Sequence, residues 1–156
     1  MPDVDHIWRQ AKDIEDHYSW HRNDDGNWVA RLRSAGTAKL SEIGMRFDPD
    51  LSVQWKEHLE LHGETASRLI ESRYGYPLVF EANVGEVRLL RGESGKRFYV
   101  AYTPTDEDPY GCSHSSVLML SRGSKADAEI RSLREDLSLA FKCQYGTPTV
   151  PIPEGA

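Results

Sequence analysis

Three groups of side chains in this sequence have types and spacings that could do chemistry. The first is a pair of histidine pairs, His17 with His21 and His58 with His62. Residues four apart on a helix share a face, which is how many helical metal sites begin. His17 and His21 flank an apolar stripe on a side shared with His6, Gln10 and Asp13, so Asp13, His17 and His21 form the candidate ligand set. His62 falls in the middle of an apolar helical face with His58 at its edge, and reads as a buried, hydrogen-bonded core histidine. Neither pair carries the glutamate of H-E-x-x-H, and no native metal is expected.

The second group lies in the segment from Pro104 to Ser115, between two strand-like runs. Loops this long between strands are uncommon and often carry function. Asp106, Glu107, Asp108, Cys112 and His114 all fall within it. A thiol and an imidazole in hydrogen-bond reach make a thiolate nucleophile; the simpler reading is a solvated, flexible acidic insertion, though of all segments this one is the first candidate for function. The third group is basic: Arg88, Arg91, Lys96, Arg97, Arg122 and Lys125. Gathered at one end of an antiparallel sheet they would contact phosphates, but Glu86 and Glu93 are interspersed, and ordinary strand-end charge is the simpler reading.

The elements that must position these residues follow from periodicity. Val4, Ile7, Trp8, Ala11, Ile14 and Tyr18 recur at spacings of three and four, predicting a first helix stopped by Asn23-Asp24-Asp25-Gly26. Alternation predicts a strand from Trp28 to Leu32 and another from Ile43 to Phe47. Asp48-Pro49-Asp50 reads as a helix start, with Leu51, Trp55, Leu59, His62, Ala66, Leu69 and Ile70 on one face. Four strand-forming runs follow, at 77–81, 86–91, 97–103 and 116–121, with Glu93-Ser94-Gly95 as a hairpin signal. A final helix starts at Ser124 and presents Ile130, Leu133, Leu137, Ala140 and Phe141 to the core. The expectation is an α+β fold of order α-β-β-α-β-β-β-β-α, with a mainly antiparallel sheet packed by helices. It forms one domain over 1–146 and a Pro-containing tail, extended and mobile, over 147–156.

Composition narrows the function classes. The net charge is −6, with 19 basic and 25 acidic residues, which disfavours a general nucleic-acid binder. No apolar run approaches the ~18 residues that span a bilayer. The first residues lack the pattern of a secretory signal, and two cysteines make no disulfide framework. A cytoplasmic setting is therefore expected. There is no Gly-rich phosphate loop, no G-x-S-x-G and no cysteine-pair metal signature, so no cofactor is expected.

One resemblance bears on the basic group. Glu86-Val87-Arg88-Leu89-Leu90-Arg91, Arg97-Phe98-Tyr99-Val100-Ala101-Tyr102 and Val117-Leu118-Met119-Leu120, followed by Lys125 and a closing helix, resemble the C-terminal half of RelE/HigB-type toxins. Those are small ribonucleases that cut messenger RNA, often on the ribosome, using basic and aromatic side chains on a sheet. The resemblance implies Arg91, Arg97, Tyr102, Arg122 and Lys125 as site residues. The chain departs from that pattern in its acidity, its additional N-terminal segment and its lack of paired lysines after the last strand. The leading expectation is a non-enzymatic binding or regulatory protein, of an immunity, adaptor or phage-accessory kind, whose partner is another protein. The ribonuclease toxin is the alternative.

Overall fold

The computed structural model describes residues 1–33, 50–107, 110–119 and 128–153. Within them the chain runs β1 (His6–Ala11), β2 (Tyr18–Arg22), β3 (Trp28–Leu32), β4 (Asp50–Trp55), α1 (Lys56–Leu61), α2 (Ala66–Ser72), β5 (Leu78–Asn83), α3 (Val84–Leu89), β6 (Phe98–Tyr102), a 3₁₀ turn (Gly111–Ser113), β7 (His114–Met119), α4 (Ala128–Ala140) and β8 (Lys142–Tyr145). Six strands form one sheet in the order β6-β7-β4-β1-β5-β8. Every neighbouring pair is antiparallel. β2 and β3 make a separate hairpin. The fold is α+β, with a mainly antiparallel sheet packed by helices.

Alternation along the strands feeds two cores. Ile7 and Ala11 of β1, with Leu78, Phe80 and Ala82 of β5, enter one core with α3, the inner face of α4 and the β2–β3 hairpin. Trp8 and Val79, on the opposite side of the same strands, pack with Leu59 of α1 and with Ala66 and Leu69 of α2. A sheet covered on both faces needs apolar residues at successive positions, which β5 supplies with Leu78-Val79-Phe80.

The predicted first helix is replaced by β1, a turn and β2. Spacings of four are even numbers, so Ile7 and Ala11 share a face on a strand as well as on a helix. Val4 and Ile14, which only the helical reading buries, are 76% and 42% exposed. Asn23–Gly26 ends no helix; it is the hairpin turn. Asn23 Oδ1 accepts the amides of Asp25 (3.1 Å) and Asn27 (2.9 Å), and Gly26 supplies φ +81°. The predicted helix after residue 48 divides into β4, α1 and α2. Gly63, at φ +77°, ends α1, and Thr65 caps α2 by accepting the Arg68 amide (3.2 Å). Residues 86–91, expected as a strand, mostly form α3, whose N-cap Asn83 accepts the Glu86 amide (2.9 Å).

The strands expected at 28–32, 77–81, 97–103 and 116–121 correspond to β3, β5, β6 and β7. The final helix is present as α4, but ends at Ala140 and is followed by an edge strand, β8. The expected strand at 43–47 and the starts at 48 and 124 lie outside the described residues.

The tail forms no helix or strand through residue 153, yet it is tied down. Thr149 donates its amide (2.9 Å) and its hydroxyl to the Asp13 carboxylate. The Val150 amide donates to Tyr18 Oη (2.8 Å), and Trp20 Nε1 donates to the Val150 carbonyl (2.6 Å). Tyr18, fully buried, donates its hydroxyl to Asp13. Burial and this bond push the Tyr18 phenol up to about 12. Burial alone would raise Asp13, but bonds from Thr149 and Tyr18 outweigh it and hold the carboxyl below its ordinary range.

Candidate binding surface and cleft around the β6–β7 loop

The long loop between β6 and β7 folds back onto α2 and α1. The Thr105 amide donates to the Gly111 carbonyl (2.8 Å), and the Gly111 amide to the Glu107 carbonyl (2.7 Å). A Cβ at Gly111 would sit 2.5 Å from the Thr105 carbonyl oxygen, so only glycine permits this approach. Tyr110 packs against the core of Trp8, Leu59, Ala66, Leu69 and Val79, and its hydroxyl lies 3.4 Å from both Glu64 Oε2 and the Arg68 carbonyl.

His114 opens β7. Its Nδ1 donates to the Thr103 carbonyl (2.7 Å), since a carbonyl can only accept. Cys112 is exposed on the 3₁₀ turn, with its sulfur 3.8 Å from Ser113 Oγ. No hydrogen bond joins Cys112 and His114 among the described residues, so the thiol lacks the contact that would make a nucleophile. Asp106 and Glu107 are exposed; Asp108 lies outside the described residues.

Beside this loop a cluster of rings reaches the surface. His58 stacks on Trp55 with centroids 5.2 Å apart, and lies 5.4 Å from Tyr102 and 4.5 Å from His62. His58 Nδ1 is 2.7 Å from the buried Ser113 hydroxyl, and Tyr102 donates to the Cys112 carbonyl (2.6 Å). Burial, then the His62 imidazole, lowers the His58 pKa. His62 is exposed and donates Nδ1 to the His58 carbonyl (2.8 Å). The expected buried His62 is thus corrected: α1 ends at Leu61, so His62 sits past the face that buries Leu59.

The other candidates are dispersed. His17 precedes β2, and its Nδ1 accepts the Lys12 amide (3.0 Å). His21 is on β2 and lines a different groove, between the hairpin and β8. The helical pairing that suggested a metal site therefore does not form. Among the described residues no group of three or more His, Cys, Asp or Glu side chains is placed to hold a metal. Arg97 packs over Tyr99, with Cζ 4.3 Å from the ring centroid, and bridges to Arg91 before β6. Tyr102 is at the far end of that strand. Arg88 is anchored on the Met1 carbonyl (2.8 Å), Asp3 (2.7 Å) and the Val100 carbonyl (3.0 Å). Arg122 and Lys125 lie outside the described residues.

Sequence reasoning missed a polar cleft of about 370 Å³ between this loop and the end of α2, lined among others by Gln10, Gln54, Arg73, Glu107, Tyr110 and His114. A smaller recess of about 80 Å³ adjoins it through Gln10, Gln54 and Arg73, and includes Arg9. Lys12 Nζ and Arg73 Cζ lie 5.3 and 3.7 Å from the Tyr76 ring centroid. Burial lowers the His17 pKa, as do Lys12, Arg9 and Arg73. Reading His6–Ala11 as a strand beside a short helix ending near Arg73 would have brought these arginines together. No protein-family model, curated protein or solved structure matches the chain.

Proposed function

We propose that this chain is a non-enzymatic binding protein that docks a basic partner protein on the surface shared by α1, the end of β6 and the β6–β7 loop. The observation that carries this reading is the ring cluster of Trp55, His58, Tyr102 and His62, which reaches solvent beside the acidic loop. Aromatic side chains with few rotatable bonds anchor protein interfaces. Exposed Glu60, Asp106 and Glu107 add a negative rim that would steer a basic partner and set its orientation. The separation of Cys112 from His114 supports binding over thiolate catalysis. A reducing, cytoplasmic setting suits Cys112 and Cys143, both free thiols. The ribonuclease alternative has less support, because Arg97 and Tyr102 bracket β6 and would not meet one scissile phosphate.

The test is capture by the tagged chain from extract of its native host, eluted with rising salt and identified by mass spectrometry. One stoichiometric basic protein is expected, released by moderate salt and lost with Tyr102→Ala and with Asp106→Lys. A complex that ignores both substitutions and salt overturns the reading. Recovery of ribosomes, with cleavage of RNA by the purified chain, would favour the alternative.

A further inference from the structure

Arg9 presents an electrostatic problem that nothing described in the chain resolves. It is half-buried, and among the described residues neither it nor Arg73 forms an ion pair, although the protein carries net charge −6. A buried cation is ordinarily matched by an anion, because desolvation of the lone charge is costly. The backbone explains where the space arises. β1 and β4 pair only at Ile7–Trp55 and Trp8–Gln54. Beyond those pairs the strands part, and Arg9 Nη1 reaches across to the Ser52 carbonyl (2.7 Å). Arg9 and Gln54 both line the resulting recess, and Arg9 Nε and Gln54 Oε1 are buried without a hydrogen-bond partner among the described residues. Burial and the neighbouring Arg73 lower the Arg9 pKa, as expected of a site holding two like charges.

We propose that this recess binds the phosphoryl group of a small, polar phosphomonoester whose organic part occupies the adjoining cleft. The recess volume of about 80 Å³ exceeds the roughly 30 Å³ share of one water, leaving room for a tetrahedral oxyanion. Forked guanidinium donors match such an oxyanion, and a dianion neutralises both arginines where a monocarboxylate neutralises one. The polar lining of the larger cleft, with Gln10, Thr105, Tyr110 and His114, suits a hydroxylated remainder. Among the described residues Glu107 is the only carboxylate on that lining, and it selects against a second anionic group on the ligand. The site shares Glu107 and the β6–β7 loop with the proposed docking surface but none of Trp55, His58, Tyr102 and His62, and it does not rest on that reading.

The test titrates the full chain with glycerol phosphate, inorganic phosphate, glycerol and acetate at constant ionic strength, by calorimetry and amide chemical shifts. Saturable 1:1 binding of glycerol phosphate is expected, weaker binding of inorganic phosphate, and none of glycerol or acetate. Arg73 is exposed and dispensable for the core, so Arg73→Gln keeps the fold and weakens binding about tenfold, the scale of one charge-assisted hydrogen bond. Glu107→Gln leaves binding equal or tighter. The proposal is overturned if neither phosphate binds saturably, if acetate binds as well as phosphate, or if Arg73→Gln changes nothing. Inorganic phosphate binding as tightly as the ester overturns the role given to the larger cleft.

Discussion

At the scale of single residues, Glu129, on the first turn of α4, ties that helix to the turn before β6. Its carboxylate accepts the Ser94 amide and hydroxyl and the Lys96 ammonium (2.9 Å). The two Ser94 bonds, then Lys96, bring its pKa from an ordinary 4.5 down to about 2. A depressed carboxylate pKa means that the native state binds the charged form better than the unfolded chain does. The stabilisation is therefore complete above about pH 4.5 and is lost as pH falls through about 2. Glu129→Gln should lower the urea midpoint at neutral pH, with the gap to the parent chain closing across that acid window. A gap that stays constant with pH would show that Glu129 acts by packing alone. The same carboxylate lies where a Cβ on Gly92 would be, at 2.3 Å, so the turn leading into β6 and the start of α4 constrain each other.

Elements show which sequence signals suffice and which do not. In the β6–β7 loop, the close approach of Gly111 to the Thr105 carbonyl holds the fold-back on α2. Gly111→Ala should cost about 1–3 kcal/mol of stability, as overpacking does, and should shift the amides of Thr105 and Tyr110. Unchanged shifts and an unchanged melting temperature would mean that the loop is not held there. The loop's existence and its acids were legible from the two strand-like runs around it. Its docking on α2 was not, because the Tyr110 contact depends on tertiary placement. The N-terminal segment misleads for a physical reason: Ile7, Ala11 and Tyr18 satisfy helical spacing, yet pairing of β1 with both β4 and β5 outweighs local preference. That substitution of strand for helix also hid the cleft, since Arg9 and Gln10 belong to a site only once β1 lies beside β4. β3 was readable because Trp28, Ala30 and Leu32 are inconsistent with a helix. α4 was readable because Ile130, Leu133 and Leu137 span nearly two turns.

At the scale of the whole molecule, strand order assigns unequal weight to the two ends of the described chain. β1 lies inside the sheet and pairs on both sides, whereas β8 pairs only with β5 at the edge, and residues 147–153 lie beyond it. Removing residues 1–11 takes away the strand that joins β4 to β5 and exposes Phe80 and Val79 in both cores. Such a chain should not fold: its amide resonances should collapse to the range of an unfolded polypeptide. Removing residues 147–156 leaves every strand pair in place. It deletes the Thr149 and Val150 bonds to Asp13, Tyr18 and Trp20 and leaves Asp13, the acceptor of the buried Tyr18 hydroxyl, with fewer donors. At about 1 kcal/mol for each net hydrogen bond, the shortened chain should fold with a loss of about 2–4 kcal/mol. With fewer bonds to Asp13, its carboxyl should titrate closer to its ordinary value, a change visible in side-chain carbon shifts. Loss of folding on tail removal alone would mean that the hairpin depends on residues 147–153 to pack against the sheet, a larger role than its hydrogen bonds imply.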